Sequence, residues 1–134
     1  MESEGNLKIS VVMPAYNAES FIEDAVNSVL AQTFEDYELI IIDDCSGDNT
    51  YEMIEGFARK DSRIRVYRNE KNSGVSFTRN FGISVARYKW IAFLDSDDMW
   101  RPKKLEKQLE LLKEHPNAII TYTGSSFIDF EGTP

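Results

Sequence analysis

With 134 residues, 42% of them hydrophobic and 28% charged, the chain is long enough for one domain with a core, too short for two, and too apolar to be disordered. Its formal net charge of −8 excludes a general nucleic-acid-binding surface, which needs a basic stripe to displace counterions, so an anionic ligand would need a local device such as a metal ion. The single cysteine, Cys45, excludes an intramolecular disulfide and points to a reducing compartment, the cytoplasm. No apolar run nears the roughly 20 residues of a membrane span, and the start, MESEGNLK, lacks signal-peptide features.

Residues 1–7 read as a polar tail, and 8–134 as one domain. ISVVM (9–13) is a short β-branched run, expected to form a buried strand stopped by Pro14. From Ala18 to Ala31 the apolar residues Phe21, Ile22, Ala25, Val26, Val29 and Leu30 fall on one helix face, with Asn17 placed to cap it. ELIIID (38–43) predicts a second buried strand and Thr50 to Arg59 a second helix, capped by Asp48 or Asn49. RIRVY (63–67) is a weaker third strand, Val75 to Ala86 a third helix, and KWIAFL (89–94) a fourth strand. Pro102 to Glu114 is a strongly patterned helix, and AIITYT (118–123) reads as a fifth strand.

Repeated strand–helix alternation implies a mostly parallel α/β sheet, because each helix returns the chain so that the next strand runs the same way. Such sheets bind ligands outside the carboxyl ends of their strands. The polar clusters PAYN, DDCSGDNT and DSDD all fall at those ends and would face one crevice.

Asp95, Asp97 and Asp98 lie within four positions after an apolar run, and like charges this close need a cation or hydrogen-bond donors to balance them. The D-x-D spacing of Asp95 and Asp97 puts both side chains on one side of an extended chain, where they can converge on Mg²⁺ or Mn²⁺. Zinc does not suit the set, since the only histidine, His115, lies near a helix end. A single aspartate here would more simply be a helix cap. Asp43 can accept hydrogen bonds from a base edge or sugar hydroxyls, whereas Asp44 serves equally as a turn or cap residue. Tyr16, exposed beside Ala15 in PAYN, could stack on a flat ring. Gly74 supplies a sharp turn, and Arg79 could reach the carboxylates or a diphosphate, or form a structural ion pair.

Together, VVMPAYN, IIDDCSGDNT, NSGVSFTRNFGI and FLDSDDMW, in this order and at these separations, resemble the amino-terminal half of family 2 glycosyltransferases with the GT-A fold, from about residue 8 to 130. The resemblance implies a Rossmann-like GT-A sheet flanked by helices and incomplete after about the fifth strand. It implies sugar transfer, with inversion, from a nucleotide donor (a UDP-sugar before others) to an acceptor hydroxyl. Carried over, the nucleotide-sugar site comprises Pro14, Ala15, Tyr16, Asp43, Asp44, Arg79, Asp95, Ser96 and Asp97. Asp43 would contact the base, Asp97 would be the direct metal ligand, and Asp95 would lie nearer the ribose as a second ligand. Mn²⁺ or Mg²⁺ would neutralise the departing diphosphate. The general base is expected beyond residue 134, leaving a donor-binding half that self-associates through the uncovered face and, in the full-length enzyme, works at the inner face of the membrane. Cys45 stands where the family usually has glycine, Thr78 where it often has alanine, and Tyr88 where it commonly has glycine.

Rival α/β readings fit less well. A dehalogenase-type phosphotransferase carries its D-x-D on the first strand, and a receiver-type domain needs a lysine just after the fifth, where TYTGSSF has none. A sugar-nucleotide pyrophosphorylase opens with a glycine-rich basic loop, unlike PAYN. No G-x-G-x-x-G follows the first strand, which excludes the dinucleotide-binding fingerprint.

Overall fold

The computed structural model describes residues 7–128. Four strands, β1 (Ile9–Ala15), β2 (Tyr37–Asp43), β3 (Ile64–Arg68) and β4 (Trp90–Phe93), alternate with four helices, α1 (Ile22–Leu30), α2 (Thr50–Lys60), α3 (Val75–Val85) and α4 (Lys104–Glu114). All pairings are parallel and the strand order is β3-β2-β1-β4. The chain therefore winds outward from β1 to β3, then crosses back to place β4 on the other side of β1. That reversal is a topological switch point, where open α/β sheets leave a crevice.

The central strands β1 and β2 are buried along their whole length, which is why they read as continuous apolar runs rather than alternating ones. Val11, Met13, Leu39 and Ile41 pack with Ile22, Val26 and Val29 of α1, Ile54 of α2, and Leu105, Leu109 and Leu112 of α4. The opposite face carries Val12, Ile40 and Ile42 against Phe81 and Val85 of α3. At Gly82 the helix comes so close to the sheet that a Cβ would lie 2.4 Å from Val12 Cγ1, so only glycine fits there.

Three expectations are corrected. Pro14 does not stop the first strand: β1 continues to Ala15, with Pro14 opposite Ile42 of β2. The carbonyl of Val12, two residues back, accepts from Leu94 on the β4 side, so the N–H that proline lacks faces the side where β4 has already ended. Asn17 does not cap α1, which begins at Ile22. It adopts φ 46° and turns its side chain to the neighbouring loop, where Oδ1 accepts from Gly47 N–H. The fifth strand does not form among the described residues. Ile119, Ile120 and Tyr122 are 90%, 77% and 88% exposed, and no neighbouring strand takes up the backbone hydrogen bonds that their pattern anticipates.

The remaining elements fall within a few residues of their predicted bounds. Asp48 does stabilise the start of α2, its Oδ1 accepting from Thr50 N–H and hydroxyl. His115 closes α4, its N–H donating to the Leu111 carbonyl.

Candidate donor site at the carboxyl edge of the sheet

A cleft of about 450 Å³ opens at the switch point. Its walls are the segment leaving β1 (Pro14, Ala15, Tyr16, Asn17, Ala18) with Phe21, the segment leaving β4 (Asp95, Ser96, Asp97), Asp44 from the end of β2, and Asn72, Gly74, Val75 and Thr78 at the start of α3. Seven of the nine predicted site residues thus meet on one surface. Tyr16 is 51% exposed at its rim, free to offer a ring face.

Asp43 and Arg79 are not on that lining. Asp43 is wholly buried, and its carboxylate accepts from the Ser46 N–H and hydroxyl and pairs with Arg68 Nε at 3.4 Å. Ser46 Oγ in turn accepts from Asn17 N–H at 2.9 Å, so Asp43 reaches the first wall of the cleft through one intermediary. Asp44 faces the other way. Its Oδ1 accepts from Asn69 Nδ2 and Ser73 N–H, and its Oδ2 from Gly74 N–H, which fixes the loop into α3. Thr78 joins this set, accepting from Asn69 and donating to the Gly74 carbonyl.

Sequence reasoning missed Asn69, Asn72 and Thr78 as parts of the site. Thr78 carried a signal, since a polar residue on the buried side of a helix needs a partner. Asn72 opens the NSGVSFTRNFGI motif but was given no role, and Asn69 had no signal beyond lying after a weak strand.

Cys45, directly after Asp44 in the loop that leaves β2, has φ 60°, a left-handed backbone that glycine adopts without penalty. Gly74 has φ 91° with open space around it, a turn requirement rather than a packing one.

On the β4 side, Asp95, Asp97 and Asp98 can each offer an oxygen within 4.8 Å of the others. The Asp98 N–H donates to the Asp95 carbonyl, a turn that folds the three carboxylates together. Desolvation first, then the charges of Asp97 and Asp95, hold the Asp98 carboxyl above its ordinary value. Arg79 Nη2 donates to Asp95 Oδ1 at 2.8 Å. The donor set is carboxylate oxygen alone, which suits a hard divalent cation of the Mg²⁺ or Mn²⁺ type and not zinc.

A model of glycosyl transferase family 2 matches residues 10–132. The chain belongs to that family. This family 2 glycosyltransferase chain is 45% identical, over 94% of its length and 50% of the relative's, to a Bacillus subtilis protein provisionally named as the teichuronic acid biosynthesis glycosyltransferase TuaG. It is 43% identical, over 78% of its length and 40% of the relative's, to the Escherichia coli UDP-Glc:alpha-D-GlcNAc-diphosphoundecaprenol beta-1,3-glucosyltransferase WfgD. Among solved structures it is similar to residues 1–349 of Staphylococcus aureus TarS in complex with UDP-GlcNAc, with a TM-score of 0.77 and 33% identity over 82% of this chain and 32% of that one. The family 2 chain spans half or less of the length of these relatives.

Proposed function

We propose that this chain forms the donor-binding part of an inverting glycosyltransferase, holding a nucleoside diphosphate sugar, a UDP-sugar before others, in the β1/β4 crevice. The observation that carries this reading is that Asp95 and Asp97, clustered with Asp98, line the crevice that Asp44, Tyr16 and the α3 start also line. The TarS complexes with UDP and UDP-GlcNAc support the donor class. Asp97 and Asp95 would hold Mn²⁺ or Mg²⁺, with Asp98 close enough to share the ion. When bound, such a cation offsets the negative charge of the departing diphosphate.

The chain's own contribution is positioning. Pro14, Ala15 and Tyr16 present a backbone edge and a ring to the nucleoside, and Ser96 offers a hydroxyl between the two aspartates. Asp43 holds the β1 wall from behind and Asp44 holds the loop into α3, so the cleft is shaped before ligand arrives. Because the chain covers half or less of its relatives, transfer to an acceptor is proposed for the whole protein and donor binding for this chain. No helix among the described residues is long and apolar enough to cross a membrane, and the cytoplasm is the compartment proposed.

The test is calorimetric titration of UDP into the chain with Mn²⁺ and with excess chelator. Binding should be at least about tenfold tighter with metal, since carboxylates repel diphosphate unless a cation lies between them. Equal affinity in the two conditions would overturn the reading.

A further inference from the structure

The carboxylate cluster already has one cation beside it. Arg79, in the second turn of α3, reaches across to β4's carboxyl end, with Nη2 on Asp95 Oδ1 at 2.8 Å. No ion pair is formed by Asp97 or Asp98 among the described residues, so the guanidinium is committed to one carboxylate of the three. The contact runs through one nitrogen, without the paired fork that makes arginine–carboxylate bonding strong and directional. Arg79 Nε is buried and has no hydrogen-bond partner. An unmatched buried donor raises the energy of the paired state, so the arrangement is poorly satisfied and open to exchange.

Asp95 is also one of the oxygen donors that a divalent ion would use. A guanidinium on its Oδ1 both occupies that lone pair and places a like charge beside the incoming cation. On the basis of the metal-dependent donor site above, we propose that Arg79 is the resident counter-cation of the cluster and that a divalent ion must displace it from Asp95 to bind. Arg79 thereby sets the cation concentration at which the site fills. Free Mn²⁺ alone competes poorly. A diphosphate brings added negative charge and shifts the balance toward the ion, so that metal loading is tied to donor binding.

The experiment follows free Mn²⁺ by electron paramagnetic resonance during titration of the wild-type chain, Arg79→Gln, Asp95→Asn and the double variant, all without nucleotide. Arg79→Gln should bind Mn²⁺ about three- to tenfold more tightly at low ionic strength, with the gain shrinking as salt screens the charges. Asp95→Asn removes one of the ion's own ligands and should weaken Mn²⁺ binding in either background, and the gain from Arg79→Gln should vanish in the double variant, the signature of a coupled pair. A second readout needs no substitution: phenylglyoxal modification of Arg79, followed by mass spectrometry, should accelerate when Mn²⁺ saturates the wild-type chain. Equal or weaker Mn²⁺ binding by a folded Arg79→Gln, or an unchanged modification rate on saturation, would overturn the proposal. Failure of every variant to bind Mn²⁺, even with UDP present, would remove the metal-dependent donor site and this inference with it.

Discussion

Asp43 and Asp44 are adjacent, yet they brace different walls of the cleft, one through Ser46 to Asn17 and the other through Asn69, Ser73 and Gly74. Replacing Asp43 by alanine leaves the buried Ser46 without its acceptor and the half-exposed Arg68 without its counter-charge, at a cost of about 1–3 kcal/mol. It should weaken UDP binding by a similar factor with and without metal, because the first wall loosens in both states. Asp97→Asn should instead leave the thermal midpoint almost unchanged, since it relieves repulsion at the surface, and should remove only the metal-dependent increment in affinity. Differential scanning fluorimetry and calorimetry on both variants check this. The same loss in both, with and without metal, would mean that the roles are not separate. The sequence made the acidic residues legible because runs of carboxylate after buried strands are costly without a purpose. Which of the two neighbouring aspartates lines the cleft was not legible. Strand alternation puts them on opposite sides but does not say which side holds the ligand.

At the scale of elements, the end of the sheet away from the cleft is held by a polar knot under the apolar strands. Glu38 of β2 accepts from the Ser10 hydroxyl of β1, from Arg65 Nη1 of β3 at 2.6 Å, and from the Arg87 N–H at the α3–β4 turn. Arg65 also donates to the Val85 carbonyl at the end of α3. Burial by itself would raise the Glu38 carboxyl, but the hydrogen bonds from Ser10 and Arg87 and the Arg65 guanidinium outweigh it, and the carboxyl sits below its ordinary value of 4.5. The sign follows: a lowered folded value means stability that is present above about pH 4.5 and lost as pH falls through the folded value. Glu38→Gln should therefore cost about 2–3 kcal/mol at neutral pH, by urea unfolding, because Arg65 is left without its counter-charge. The gap to wild type should narrow on acidification below pH 4.5, and a constant gap from pH 7 to pH 3 would refute this role. Periodicity revealed the strands and helices themselves because β1 and β2 are apolar throughout and α4 repeats leucine at helical spacing. It could not reveal this knot, whose members lie 28, 27 and 49 positions apart in sequence. It also promised a strand at 118–123, since an apolar, β-branched run states what a strand would bury and not whether a neighbour is there to pair with it.

At the scale of the whole molecule, two opposing surface properties decide how the isolated chain behaves. Ile119, Ile120, Tyr122 and Phe127 are from 77% to fully exposed. Phe77 and Ile83 of α3 and Phe93 of β4 are about half exposed. β4 ends the sheet with its outer edge unpaired among the described residues, and an open edge beside apolar side chains is a template for another strand. Against this stands the net charge of −8, which makes two copies repel. The repulsion is long-ranged and falls off over a Debye length of about 10 Å at 0.1 M salt, whereas apolar contact is not screened. The chain on its own should therefore stay monomeric at low salt and low concentration and pass to dimers or larger species as either is raised. Light scattering after size exclusion would show it, with Ile119→Lys and Phe127→Ser together shifting the transition to higher concentration. A mass that stays monomeric at high salt across the accessible concentration range would show that these side chains do not draw a second copy. An association that weakens with salt would point instead to charge pairing, and would equally refute the apolar account.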